Sequence, residues 1–434
     1  MRKLRTLSLL CAIVLAVSLV MGGCNAGTPQ TSESTQTSAG NSATVSTEPS
    51  EAAGEIVIGY VGPMTGNSAS MGLATDQGIQ LAVKEINANG GIMGHTIKYV
   101  SRDDASDPTT SKTMVEELID KEKVTMMVGQ PNSTCVQAAE EYVNENKVIQ
   151  IINIATNTAL TDPETFPYSF RTFFPSPVQA DALANMAKEN GFQKIVLLGD
   201  NSALGNDGIA AMQAALEKAG VEYVEAIQYT SGDADLTPVA EKIKADGADC
   251  ALAWTLGADA AKIVAALSRI GYMDNLVYLG YTGLTLPNFR ELAGDGVDRC
   301  YTLNGAWSVE AGATELDPVR QALYDKMVAE YGAYDANGTG RSTNSWMIAS
   351  GYDAIYLYKW AVETAGTFDP DVVKETLETK ISEYQAVGQT DTYKFSATSH
   401  EAIVGTDLMP VLLDQMATSD MLFGDIYVRG SLNN

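Results

Sequence analysis

From Ile56 onward, β-prone runs and helical apolar stripes take turns at intervals of roughly 25–30 residues, and this alternation narrows the fold more than any other feature. The first unit is Ile56, Val57, Ile58, Tyr60 and Val61, a short strand, followed by a loop punctuated by Gly62, Pro63, Gly66 and Gly72. Ile79, Ala82, Val83 and Ile86 then recur at helical spacing, and Gly90-Gly91 supplies the stop. Thr96–Val100 reads as a strand, Asp107-Pro108 as an N-cap with proline at the first helical position, and the helix runs to about Glu122. Strand Val124–Val128, helix Val136–Asn144 and strand Val148–Ile152 complete one series. A second series begins near Val178, with strands at Lys194–Leu198, Val221–Gln228, Cys250–Trp254 and Leu276–Leu279. Its helices run to Asn190 and over Asp207–Ala219, Leu236–Ala245 and Asp259–Ile270. Such a pattern predicts an α/β fold of two similar blocks, parallel sheets covered by helices, with ligand sites at the carboxyl ends of the strands.

The chain should cross between the blocks three times: at Phe170–Pro177, at Leu303–Trp307, and near Tyr393–Ser396. A long helical stretch (Pro318–Tyr331, Ser345–Thr364, Pro370–Thr379) separates the last two. The expected division is therefore 55–173 plus 305–393 for lobe 1 and 174–304 plus 394–434 for lobe 2. The tail from Asp407 to Val428 carries no motif.

A glycine-rich loop between a strand and a helix offers backbone N–H groups and a positive dipole end to a ligand. The nucleotide versions fit poorly. Gly66 to Gly72 is not followed by Lys and Ser/Thr, and Gly59, Gly62 and Gly66 break the dinucleotide spacing. The excess of 54 acidic over 28 basic residues argues against nucleic acid as a partner.

The N-terminus carries Arg2, Lys3 and Arg5 ahead of a mostly apolar run, Leu7 to Val20, which is too short to span comfortably and reads as a secretion signal over 1–23. Met21-Gly22-Gly23-Cys24 resembles the lipobox of bacterial lipoproteins, with Cys24 as the lipidated residue and Met21 standing where leucine is usual. Residues 24–54 then form a polar tether. Between Asn25 and Gly54 there are twelve Ser/Thr and one large aliphatic, Val45, so no core is possible. As a flexible coil it reaches roughly 30 Å.

With Cys11 in the signal and Cys24 at the anchor, Cys135, Cys250 and Cys300 remain, widely spaced and without a C-x-x-C. No zinc site or disulfide-dependent fold is expected. His95 and His400 are the only histidines, and neither sits in a catalytic constellation, so the reading is not an enzyme, with no cofactor and no metal.

The run Ile86-Asn87-Ala88-Asn89-Gly90-Gly91-Ile92-Met93-Gly94, followed by Arg102-Asp103-Asp104-Ala105-Ser106-Asp107-Pro108, resembles the leucine/isoleucine/valine-binding protein family. These are type I periplasmic solute-binding proteins of ABC importers, and the resemblance implies two Rossmann-like lobes joined by three crossovers that close on a solute. In amino-acid-binding members a serine after a first-lobe strand and a small-small-threonine segment after the next hold the ligand carboxylate. Those positions match Ser133 and Ile154-Ala155-Thr156. The family's first-loop aromatic matches Met71, two second-lobe tyrosines match Leu204 and Leu256, and the acid that takes the ammonium matches Thr282. The expected pocket is therefore more apolar and less acidic, with Asp200 or Asp259 as candidate substitute acids. Where relatives can carry a disulfide, this chain has Ser106 and Asn132, which cannot form one.

The resemblance implies a monomeric receptor, lipid-anchored at the extracytoplasmic face of the cell membrane. It would capture an amino acid or a small apolar carboxylate or amide and deliver it to ABC permease subunits. The alternative is a sensory module feeding a separate membrane receptor.

Overall fold

The computed structural model describes residues 54–66, 68–285, 289–310, 312–332, 345–404, 408–416, 427–429 and 432. The signal and Cys24, with all of the tether before Gly54, lie outside the described residues.

The first series folds as β1 (Gly54–Gly62), α1 (Ala69–Ala88), β2 (His95–Asp103), α2 (Pro108–Glu117), β3 (Met126–Val128), α3 (Ser133–Glu145), β4 (Ile149–Ile152) and β5 (Ser169–Arg171). All five strands are parallel, in the order β2-β1-β3-β4-β5. Strand β1 is central to this half. Ile58 sits opposite Tyr99 on one side and Met126 on the other, which explains a nearly continuous apolar run in place of strict alternation. Helix α2 starts where its cap chemistry requires, the Asp107 carboxylate accepting the Thr110 N–H at 2.7 Å with Pro108 in the first turn.

The second series is α4 (Ser176–Glu189), β6 (Ile195–Asp200), α5 (Ala203–Ala219), β7 (Glu225–Tyr229), α6 (Thr237–Asp246), β8 (Cys250–Trp254), α7 (Gly257–Arg269), β9 (Val277–Gly280), the short α8 (Phe289–Ala293) and β10 (Cys300–Asn304). Strands β7, β6, β8, β9 and β10 are neighbours in that order and parallel. The remaining elements are β11 (Ser308–Val309), α9 (Pro318–Tyr331), α10 (Ser345–Ala365), α11 (Pro370–Lys380), β12 (Met409–Met416) and β13 (Tyr427–Arg429). Helix α10 returns to the first half and crosses α1 at backbone contact. A Cβ on Gly78 would fall 1.9 Å from the Ile348 carbonyl oxygen, and one on Gly351 would fall 2.3 Å from that of Thr75.

The structure differs from the sequence expectation in several places. Phe170 and Arg171 belong to β5, and Leu303 and Asn304 to β10, so these parts of the expected crossings are strand, and β11, just beyond, still pairs with β13 in the second sheet. The unpatterned tail supplies β12, antiparallel to β10 with Tyr301 opposite Leu412. The segment from Tyr393 to Ala402 stays on the first half, and the chain reaches the second sheet only at β12. Arg171 N–H donates to the His400 carbonyl, Ala402 N–H to that of Arg171, and the His400 ring stacks on Phe170 at 3.9 Å. Among the described residues no helix is long and apolar enough to cross a membrane.

Candidate functional site

The loops that leave the carboxyl ends of the parallel strands in the two sheets meet across one cavity of about 280 Å³. From the first half, Ser68 and Met71 follow β1, Ser133 follows β3, Ile154, Ala155 and Thr156 follow β4, and Phe173 follows β5. From the second, Asp200 ends β6 and Ser202 and Leu204 follow it, Leu256 and Asp259 come after β8, and Tyr281 and Thr282 after β9. Trp346 and Met347, at the start of α10, close one side. All eight ligand positions expected from the resemblance thus line a single cavity, together with both candidate acids.

The first half presents hydroxyls on a rigid frame. Ser133 is the first residue of α3, and the cap position belongs to Asn132, whose side chain makes no capping bond. The Ser133 hydroxyl accepts the Asn157 N–H at 3.3 Å, which ties the loop after β4 to the helix start. The Thr156 carbonyl accepts both the N–H of Ser176 (3.0 Å) and its hydroxyl (2.8 Å). Thr156 itself is 3% exposed, and its Oγ1 has no hydrogen-bond partner. Arg171, wholly buried, donates to the carbonyls of Ala155 (2.8 Å) and Asn157 (2.7 Å). The result is a fixed concavity with a helix N-terminus and hydroxyls at its surface, an arrangement suited to an anion without a basic residue.

In the second half, the N–H and hydroxyl of Thr282 both donate to Gln179 Oε1, at 3.1 and 2.9 Å, so this side chain is engaged within its own lobe. Asp259 Oδ2 accepts the Gly232 N–H at 2.9 Å, and its Oδ1 lies 3.1 Å from Lys262 Nζ. Asp200 Oδ1 accepts the N–H and hydroxyl of Ser202. These are the two acids that the sequence offers as substitutes for the one replaced by Thr282, and both line the cavity. The sequence reading missed the aromatic walls. Phe173 stacks on Trp346 (centroids 4.9 Å apart, 12° between planes), and Tyr281 on Trp254 (4.6 Å, 14°). Tyr281 was within reach of sequence reasoning, because it directly follows the last residue of β9. Trp346 was not, since an apolar helix start carries no binding signal.

The two halves also touch directly. Asn157 Nδ2 donates to the Ala203 carbonyl at 3.1 Å, and the Thr158 N–H lies 3.3 Å from the Asp207 carboxylate. Cys135, Cys250 and Cys300 are buried free thiols. Burial pushes the Cys135 thiol up to about 12, so it is an inert group rather than a nucleophile.

Residues 55–412 match the family model described as periplasmic binding protein. An amino acid binding protein of Pseudomonas aeruginosa is 31% identical over 220 residues, which cover 50% of this chain and 58% of that protein. The branched-chain amino acid transporter substrate binding protein LivJ of Streptococcus pneumoniae, solved in complex with isoleucine, superposes with a TM-score of 0.69 at 24% identity, covering 87% of this chain and 100% of that one. A solute binding protein of an ABC transporter from Rhodopseudomonas palustris, solved with 3,4-dihydroxybenzoic acid, superposes with a TM-score of 0.71 at 20% identity, covering 87% and 96%. One fold thus serves solutes of different chemistry. With its alternating motifs, its two sheets and the cavity between them, this chain belongs to the periplasmic binding protein family.

Proposed function

We propose that this protein is the extracytoplasmic receptor of an ABC importer, held to the cell membrane through a lipid on Cys24, and that it captures an amino acid or small carboxylate between its lobes for delivery to the permease. One observation carries the reading: Met71, Ser133, Ile154, Ala155 and Thr156 from one half and Leu204, Leu256 and Thr282 from the other line one cavity. A solute that touches both walls gains all its contacts only when the lobes are together, so it stabilises the closed state, in which Asn157 reaches Ala203. The amino-acid-binding and isoleucine-bound relatives support an amino acid, and the aromatic-acid complex shows how far the solute can vary within the fold.

Native mass spectrometry of the protein as purified, followed by calorimetric titration with the solute found, tests this. A bound amino acid or carboxylate of micromolar or better affinity is the expected result. A chain that carries no such solute and binds none in a panel of amino acids and small carboxylates would sink the proposal.

A further inference from the structure

The loop after β4 runs on past Thr156 to the rim of the cavity, where it makes contacts that take no part in holding a solute. Its base in the first half is rigid. The Asn157 N–H donates to the Ser133 hydroxyl at 3.3 Å, and the Asn157 carbonyl accepts Arg171 Nη2 at 2.7 Å. From this base two donors cross to α5 of the other half. Asn157 Nδ2 reaches the Ala203 carbonyl at 3.1 Å, and the Thr158 N–H lies 3.3 Å from each oxygen of the Asp207 carboxylate. None of these four residues lines the cavity. Among the described residues no other donor reaches the Asp207 carboxylate, and the Thr158 N–H has no other acceptor. Both groups therefore return to water when the lobes part.

A bond that exists only between closed lobes favours closure whatever the cavity holds. We propose that Asp207 and Thr158, with Asn157 beside them, form a latch across the rim that sets how readily the lobes close, and so scales the affinity for every solute by one common factor. The proposal rests on reading the cavity as the solute site, but it assigns no group of the solute. Asp207 is a positioning residue, acting on the solute only through the approach of the two walls. Because water competes at the rim, the latch has the strength of one ordinary hydrogen bond, which changes the closed population by about threefold to tenfold.

The experiment is calorimetric titration and stopped-flow dissociation of the full chain with L-leucine, L-isoleucine, L-valine and L-phenylalanine. The native protein should bind at least one of them. Asp207→Ala should weaken each amino acid that binds by the same factor, about threefold to tenfold, mostly as faster release. Thr158→Pro deletes the N–H on the other lobe, at a site that follows the extended Asn157 and opens the 3-10 turn Thr158–Thr161, where proline fits. It should give the same loss, and the double variant should lose no more than either single one. A residue that merely supported α5 would not cancel in this way against a change in the opposite lobe. Affinity within twofold of native in Asp207→Ala overturns the latch, as do losses that multiply in the double variant. Factors that differ more than threefold among the amino acids would mean that Asp207 meets the solute, and overturn it too. Binding of none of the four by the native protein removes the solute-site reading itself, and this inference with it.

Discussion

Arg171 and Glu401 are 230 residues apart in the chain and form an ion pair, with Nε 2.9 Å from Oε2. Arg171 is fully buried while Glu401 is 17% exposed on its side chain, and the same guanidinium holds the loop that carries Thr156. Arg171→Met should therefore cost stability and binding together. Breaking such a pair from its buried side is worth about 3 kcal/mol, at the low end of the usual range because Glu401 keeps some water. Urea denaturation would read the loss. Glu401→Gln leaves the fully buried Arg171 without a counter-charge and should also lose about 3 kcal/mol, but Arg171 keeps its ties to the Ala155 and Asn157 carbonyls, so binding should fall less than in Arg171→Met. Equal losses of binding in the two variants would show that the ion pair, rather than the carbonyl ties, holds the loop.

Thr156→Val separates a trapped hydroxyl from one that meets solute. Its Oγ1 is buried without a partner, so removing it at nearly constant volume should leave the ligand-free protein unchanged or more stable by up to about 1 kcal/mol. If the hydroxyl contacts the solute, affinity should fall about tenfold in the same variant. Calorimetry of the ligand-free protein and titration with its solute give both numbers. A variant that binds as tightly as the native protein removes Thr156 from the site.

The helices and strands of the two blocks were legible because each buried strand is an apolar run and each covering helix a periodic stripe. Asp107-Pro108 even marked the start of α2 to the residue. What escaped was structure made by long-range pairing. Strand β5 is three residues long and exists because Gln150 and its neighbours on β4 accept it as an edge, so Phe170-Arg171 read as a crossing. Strand β12 pairs with β10 more than a hundred residues earlier, and neither partner shows a pattern that names the other. At the site, the positions of Ser133, Thr156 and Leu256 came from motif resemblance. The contribution of Trp346 depends on where α10 returns, which no local signal encodes.

The α1–α10 crossing makes a prediction opposite in sign to helix propensity. Alanine in a helix interior normally gains about 1 kcal/mol over glycine. At Gly78 the added methyl would meet Ile348 O at 1.9 Å and Tyr352 N at 2.8 Å, both backbone atoms that move only with the helix. Gly78→Ala should therefore lower stability by about 1–3 kcal/mol, as overpacking does, and Gly351→Ala should act alike against Thr75. A thermal midpoint at or above the native value in either variant would mean that the helices are not in backbone contact.

Glu140 gives a pH dependence with a definite sign. It is 0% exposed on α3, and neither carboxylate oxygen has a hydrogen-bond partner. Burial pushes its carboxyl from 4.5 up to about 9, with the Ser169 hydroxyl and the Arg171 charge opposing only in part. The folded state then keeps a proton that the unfolded state releases above about 4.5, so stability falls as pH rises between those values. His400, lowered from 6.5 by burial, acts in the opposite direction and only below 6.5, and the other buried groups cancel when a Glu140 variant is compared with the native protein from pH 7 to 9. Across that window Glu140 should remove about 2–3 kcal/mol. Glu140→Gln abolishes the titration, so the difference between variant and native unfolding free energies should grow by that amount from pH 7 to 9. A constant difference in urea titrations over that range would place an ionised carboxylate in the folded protein.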